Sequence, residues 1–204
     1  MQIKKKMNSI KVILTQTLLF VIILSCSREK TNNTDKANIK ESVTESPVSI
    51  PACMDAALNG DSDKVKEFIA GGLVVDTTDE NGSTAMMLAA YNNHTEIVKY
   101  LLGKGADVNH RDINNRTALM YASSGPANET VKLLLEAGAE INATGNIEGF
   151  TAIMFAAAEG QTEVFKTLID AGADISIKDK DGETARDFAS NNCHSTIVRL
   201  IDNR

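Results

Sequence analysis

The sequence predicts an all-α solenoid, helix-turn-helix pairs stacked in file and joined by β-hairpin-like turns, with about five units including caps. Three observations predict it. A first phrase recurs at a fixed step: Thr84-Ala85-Met86-Met87-Leu88-Ala89-Ala90, Thr117-Ala118-Leu119-Met120-Tyr121-Ala122-Ser123 and Thr151-Ala152-Ile153-Met154-Phe155-Ala156-Ala157, the threonines 33 and then 34 residues apart. A second phrase follows each: Gly105-Ala106-Asp107-Val108-Asn109, Gly138-Ala139-Glu140-Ile141-Asn142 and Gly172-Ala173-Asp174-Ile175-Ser176. Between the phrases runs an apolar stripe at helical spacing, as in Ile97-Val98 with Leu101-Leu102. A unit this short cannot bury a core alone, so copies must stack.

In chain order, Lys4, Lys5, Lys6 and Lys11 form a basic head, and residues 12–24 are apolar apart from Thr15, Gln16 and Thr17. Basic head, short apolar run and small closing residues are the layout of a secretory signal peptide over residues 1–25. A run of 13 residues, three of them polar, falls short of the roughly 20 apolar residues that a spanning helix needs. The closing Ile23-Leu24-Ser25-Cys26 resembles a bacterial lipoprotein signal, which implies cleavage before Cys26 and acylation of its thiol. Simple secretion and an uncleaved anchor remain the alternatives. After Cys26 comes a stretch of Ser, Thr, Asn, Lys and Glu up to residue 50. It has too little apolar content to offset the entropy of ordering and is expected to be a flexible tether. Its typical reach is roughly 25–30 Å, its stretched limit about 80 Å.

Residues 51–204 divide into units of about 51–78, 79–111, 112–145, 146–178 and 179–204. In the first, Ala56-Ala57, Val65, Phe68-Ile69 and Gly72 fall in register with Ala89-Ala90, Val98, Leu101-Leu102 and Gly105, but Pro51 stands where the others have Thr. The next three each begin with a threonine (Thr84, Thr117, Thr151), as does the last (Thr184), whose hydroxyl can accept a bond from an unpaired backbone N–H of the helix start. Their second helices carry the stripes Ile97-Val98-Leu101-Leu102, Val131-Leu134-Leu135 and Val164-Leu168-Ile169. Gly105, Gly138 and Gly172 mark helix ends. Asn81-Gly82, Asn114-Asn115, Glu148-Gly149 and Asp181-Gly182 mark the tips of the turns. The last unit carries Asn191, Asn192, Ser195 and Arg199, polar enough to face water as a cap.

This pattern resembles the ankyrin repeat, whose phrase runs Gly-x-Thr-Pro-Leu-His-x-Ala-Ala, then an amphipathic helix, then Gly-Ala-Asp-Val-Asn. The resemblance covers about three-quarters of the chain. Here Ala85, Ala118, Ala152 and Ala185 replace the Pro, and Met87, Met120, Met154 and Asp187 replace the His. The resemblance implies a surface that holds another protein, formed by the turn tips and the exposed face of each first helix. By alignment the residues expected to line it include Tyr91, Asn92, Arg111, Ile113, Asn114, Arg116, Ile147, Glu148, Phe150, Glu159 and Lys180. Large apolar groups at positions that a fold does not bury are common interface centres, which singles out Ile113, Ile147, Phe150 and Tyr91, with Arg116 between them. Phe150 has a second reading, folding back on a neighbouring turn across the one-residue insertion near Gly145.

Charge and residue chemistry narrow the function further. The chain carries 21 basic and 27 acidic residues, net −6, and without the four lysines of the head 17 basic remain, net −10. No basic stripe follows any helix, so a nucleic-acid partner is not expected. Cys53 falls in a core register, and Cys193 takes the place of Gly160; four repeats apart, roughly 40 Å at helix-packing spacing, they cannot pair. His94 and His194 occupy equivalent helix-start positions and read as structural, and His110 sits in a hairpin arm. No Ser or Cys has a partner His at a catalytic spacing, no phosphate loop is present, and His94, His110 and Asp112 fit no zinc pattern. Neither catalytic residue, cofactor nor metal is expected. The favoured expectation is a monomeric, non-catalytic interaction module, lipid-anchored in the bacterial cell envelope on the outer membrane or periplasmic face. An immunity or inhibitor protein against an envelope-acting toxin or enzyme is a narrower form, and an accessory or maturation factor of an envelope enzyme is the alternative.

Overall fold

A computed structural model describes residues 49–145 and 148–204. The signal peptide, Cys26, nearly all of the tether, and Ile147 lie outside the described residues. Ten short helices follow one another in antiparallel pairs among the described residues: α1 (Ile50–Asn59) with α2 (Ser62–Ala70), α3 (Ala85–Tyr91) with α4 (Thr95–Gly103), α5 (Ala118–Ser123) with α6 (Asn128–Glu136), α7 (Ala152–Ala158) with α8 (Thr162–Asp170), and α9 (Ala185–Asn191) with α10 (Ser195–Asp202). The first helices pack against one another in file, as do the second helices behind them. This is the all-α solenoid that the period predicts, and the described residues belong to one compact unit, Ser46–Arg204.

The first helices approach closely because one register is alanine in every unit: Ala56, Ala89, Ala122, Ala156 and Ala189, all buried. The predicted stripes supply the other half of the core, with Val65, Ile97, Val98, Leu101, Val131, Leu134, Val164, Leu168 and Ile197 buried on the second helices. Cys53 is buried as its register predicts, and Cys193 is exposed. Cys193 also adopts the left-handed backbone of Gly160, at φ 64° against 71°.

Polar bonds bind one unit to the next. The carboxylate of Asp76 and the side-chain oxygens of Asn109 and Asn142 accept the backbone N–H of Asp107, Glu140 and Asp174, respectively, at 3.1, 2.8 and 2.9 Å. The two end junctions add a histidine clasp. His94 Nε2 donates to the carbonyl of Leu58 and His194 Nε2 to that of Ala158, each at 3.0 Å. The imidazoles lie over Gly60 and Gly160, where an added Cβ would fall 2.5 Å from a ring carbon and φ is already positive, so only glycine fits beneath them.

The threonine caps depart from expectation. Thr84 accepts the N–H of Met87 at 3.4 Å. The hydroxyls of Thr117 and Thr151, both buried, have no hydrogen-bond partner; that of Thr151 sits over its helix as in a capping box without closing the bond. Met120 and Met154 stand where the repeat pattern has His, and a thioether is a weak partner for a hydroxyl. Thr184 is served differently, its backbone N–H and hydroxyl both donating to Asp187 Oδ2 at 2.8 and 2.7 Å.

A buried hydroxyl without a partner contributes nothing that a methyl would not. Thr151→Val is therefore expected to leave the melting temperature unchanged or raise it, whereas Thr184→Val is expected to cost about 1 kcal/mol in denaturant unfolding. The bonds from Thr184 hold the Asp187 carboxyl below its ordinary value of 3.8. A depressed carboxyl stabilises the fold above its unfolded pKa and loses that contribution as pH falls through the folded one. The stability gap between the native chain and Asp187→Asn is thus expected to be full near neutral pH and to close in acid below the ordinary carboxylate range.

Candidate partner-binding surface

Each turn between units projects as a finger whose shape is set by an aspartate at its base. Oδ1 of Asp79 accepts the N–H groups of Asn81 and Ser83, both at 2.8 Å. Oδ1 of Asp112 does the same for Asn114 and Arg116, and Oδ1 of Asp179 for Asp181 and Glu183. A short side chain that accepts two successive turn N–H groups folds the turn around itself. Adjacent fingers join through their backbones, Ile113 N–H donating to Asn81 at 3.0 Å and Lys180 N–H to Glu148 at 2.8 Å. The three aspartates are a feature that reading the turn tips alone misses; their recurrence at Asp79, Asp112 and Asp179 is the signal that finds them.

Asp112 does more than shape its finger. It is buried, and Oδ2 accepts from Arg116 Nε at 2.8 Å and from the Tyr121 hydroxyl at 2.9 Å. Arg116 Nη2 lies at 2.8 Å from the same oxygen, and the guanidinium carbon stands 4.8 Å from the centre of the Tyr121 ring. Burial drives the Tyr121 phenol well above its usual range; Arg116 opposes and Asp112 adds to it. The hydroxyl is therefore a permanent donor to the carboxylate.

Beside the fingers, the first helices carry one register occupied by Leu88, Tyr121, Phe155 and Phe188. Tyr91 meets Tyr121 edge-on, ring centres 6.3 Å apart and planes at 86°. Phe150, at the root of its finger, meets Phe155 at 5.8 Å and Phe188 at 5.2 Å, again edge-on. Edge-on pairs are the favoured aromatic geometry. Five aromatic rings thus run along the finger side of the first helices.

The predicted surface residues separate into several groups. Ile113 projects outward, 61% exposed. Tyr91 and Glu159 are half-buried beside the aromatic row. Burial lifts the carboxyl of Glu159 above its ordinary value, and burial followed by the Glu159 charge lifts the phenol of Tyr91. Arg116 is held by Asp112. Arg111 reaches along the array to Glu140 at 2.8 Å and to the carbonyl of Thr144 at 3.2 Å. Asn92 donates its amide to Leu58 at 2.7 Å, bracing the preceding unit. Asn114, Glu148 and Lys180 occupy the fingers. Phe150 is packed between units, so truncating it to alanine costs stability as well as surface.

The family model described as Ankyrin repeats (3 copies) matches residues 53–145 and 127–203. The chain belongs to the ankyrin-repeat family, and this membership supports a protein–protein interaction module. Comparison with curated proteins gives no match. Among the described residues no cluster of three His, Cys, Asp or Glu side chains is placed to hold a metal ion, and no helix is long and apolar enough to cross a membrane.

Removing Asp112 strands a guanidinium and a phenol that are both partly buried, whereas removing Asp79 frees only turn N–H groups. Asp112→Ala is expected to cost about 3 kcal/mol and Asp79→Ala about 1 kcal/mol in equilibrium unfolding. Equal losses at the two positions would show that the Arg116–Tyr121 contacts contribute nothing.

Proposed function

We propose that the array is a non-catalytic interaction module that holds a partner protein against its fingers and first helices, tethered in the bacterial cell envelope through a lipid on Cys26. The carrying observation is the set of aromatic rings along the first helices together with the exposed Ile113 at a finger tip. Large apolar side chains grouped on one side of a fold, rimmed by polar ones, are the composition of an interface core. Family membership supports the same reading. The lipid anchor rests on the basic head, the short apolar run and Ser25-Cys26. Ser27 after that cysteine is unlike an inner-membrane retention signal, which favours the outer membrane or the periplasmic face. Two or more acyl chains make such an anchor durable.

A net charge of −6 for the chain favours a basic partner and rapid capture. That is the observation behind the narrower reading of an immunity or inhibitor protein acting on a basic toxin or enzyme in the envelope.

Two measurements test the proposal in cells expressing the full chain. A fatty-acid label is expected to enter the native protein and to be lost in Cys26→Ala, which should shift the protein to the soluble fraction; label retained in that variant would remove the anchor. A photo-reactive residue at position 113 is expected to cross-link a partner protein, while one at Val74, equally exposed at 69% in the loop after α2, should not. Ile113→Asp is expected to weaken capture at least about tenfold with an unchanged melting temperature. Cross-linking only from position 74 would move the interface elsewhere.

A further inference from the structure

We propose that the gap over Gly125 receives a single lysine or arginine side chain of the partner, its stem and charge against the Tyr91 ring and its cationic head on the Glu159 carboxylate. This rests on the partner-holding reading above and gives it a chemical class. Two neighbouring registers on the first helices run Tyr91, Ser124, Ala158 and Asn92, Gly125, Glu159. The third unit therefore offers the smallest pair of side chains between a tyrosine on one side and a glutamate on the other. An added Cβ at Gly125 would meet only the carbonyl of Tyr91, at 3.5 Å, so the backbone there sits close against the end of α3 and nothing rises from it. The Tyr91 ring is fixed by its edge contact with Tyr121 at 6.3 Å.

The occupant follows from charge. Glu159 is half-buried, and no hydrogen bond or ion pair among the described residues engages its carboxylate. The ring of His194 acts on it through space only, its Nε2 being held by the carbonyl of Ala158. Burial holds the Glu159 carboxyl above its ordinary value, and its charge is felt by the Tyr91 phenol, so the two walls of the gap lie in each other's field. A partly desolvated anion with no direct ion pair is costly, and a cation brought by a ligand recovers part of that cost. A tyrosine face adds cation–π attraction for the same group. A neutral or acidic side chain would gain neither.

The test uses the full-length protein in mild detergent, titrated with acetyl-Gly-Arg-Gly-amide and acetyl-Gly-Lys-Gly-amide and followed by amide and side-chain NMR shifts. Matching peptides with norleucine and with glutamate at the centre serve as controls. The cationic peptides are expected to produce saturable shifts at Gly125, Tyr91 and Glu159, at least tenfold tighter than norleucine, with the glutamate peptide silent. Glu159→Gln is expected to erase the preference for the cation while its remaining spectrum stays that of the folded chain. Equal response to norleucine, or shifts absent from these three residues, overturns the proposal. Partner cross-linking from position 113 that persists in Glu159→Gln, together with such a failure, would leave the interaction module standing and remove only the cation site.

Discussion

The distance between neighbouring first helices governs this structure. Alanine recurs at Ala56, Ala89, Ala122, Ala156 and Ala189, so each first helix lies nearly backbone to backbone against the next. Every other junction depends on that spacing. It brings Ile113 within 3.0 Å of Asn81 between fingers and Glu140 within 2.8 Å of Asn109 between loops. It also brings rings from successive units to edge contact, as Tyr91 on Tyr121 and Phe150 on Phe188. One larger side chain in that register would act as a wedge, and overpacking of this kind typically costs about 1–3 kcal/mol before any bond between fingers is counted.

On this frame the finger side has two distinct characters. In the middle, buried chemistry is consumed by structure: Asp112 takes two turn amides, the Arg116 guanidinium and the Tyr121 hydroxyl, leaving it no capacity for a ligand. Toward the far ends of the first helices, Tyr91 and Glu159 are half-buried and lack such partners. For an array that holds a partner protein, specificity lies in which few side chains stay accessible on that side. Here the accessible ones include an isoleucine that is 61% exposed and a tyrosine and a glutamate that are half-buried.

The fold was legible because a 33-residue step repeats every structural requirement several times, and a stripe such as Val131 with Leu134 states which face is buried. The surface was only partly legible. Alignment placed Ile113 at a finger tip and Tyr91 on a first helix, and both lie there. It left open whether Phe150 folds back, and the ring does so onto Phe155 and Phe188 of the first helices, which depends on what the next unit presents and not on the position within its own. The same limit hid the fate of the threonine hydroxyls. A cap was expected at each, yet Thr84 alone accepts a helix N–H, Thr117 and Thr151 lack partners, and Asp187 serves Thr184. The leader, Cys26 and the tether belong to residues that the structure does not describe, and they are carried by residue pattern alone.

The two histidine clasps sit at the first and last junctions, and the inner junctions use other residues: Ala127 and Gln161 occupy the histidine register there. A linear array touches only its neighbours, so its terminal members have half the support of those inside and would be the first to peel away. Placing an imidazole lock, with a glycine shaped to accept it, at each extremity works like the knots at both ends of a rope. Fraying is checked where it would begin, which shields the central units, two of whose caps carry unsatisfied hydroxyls.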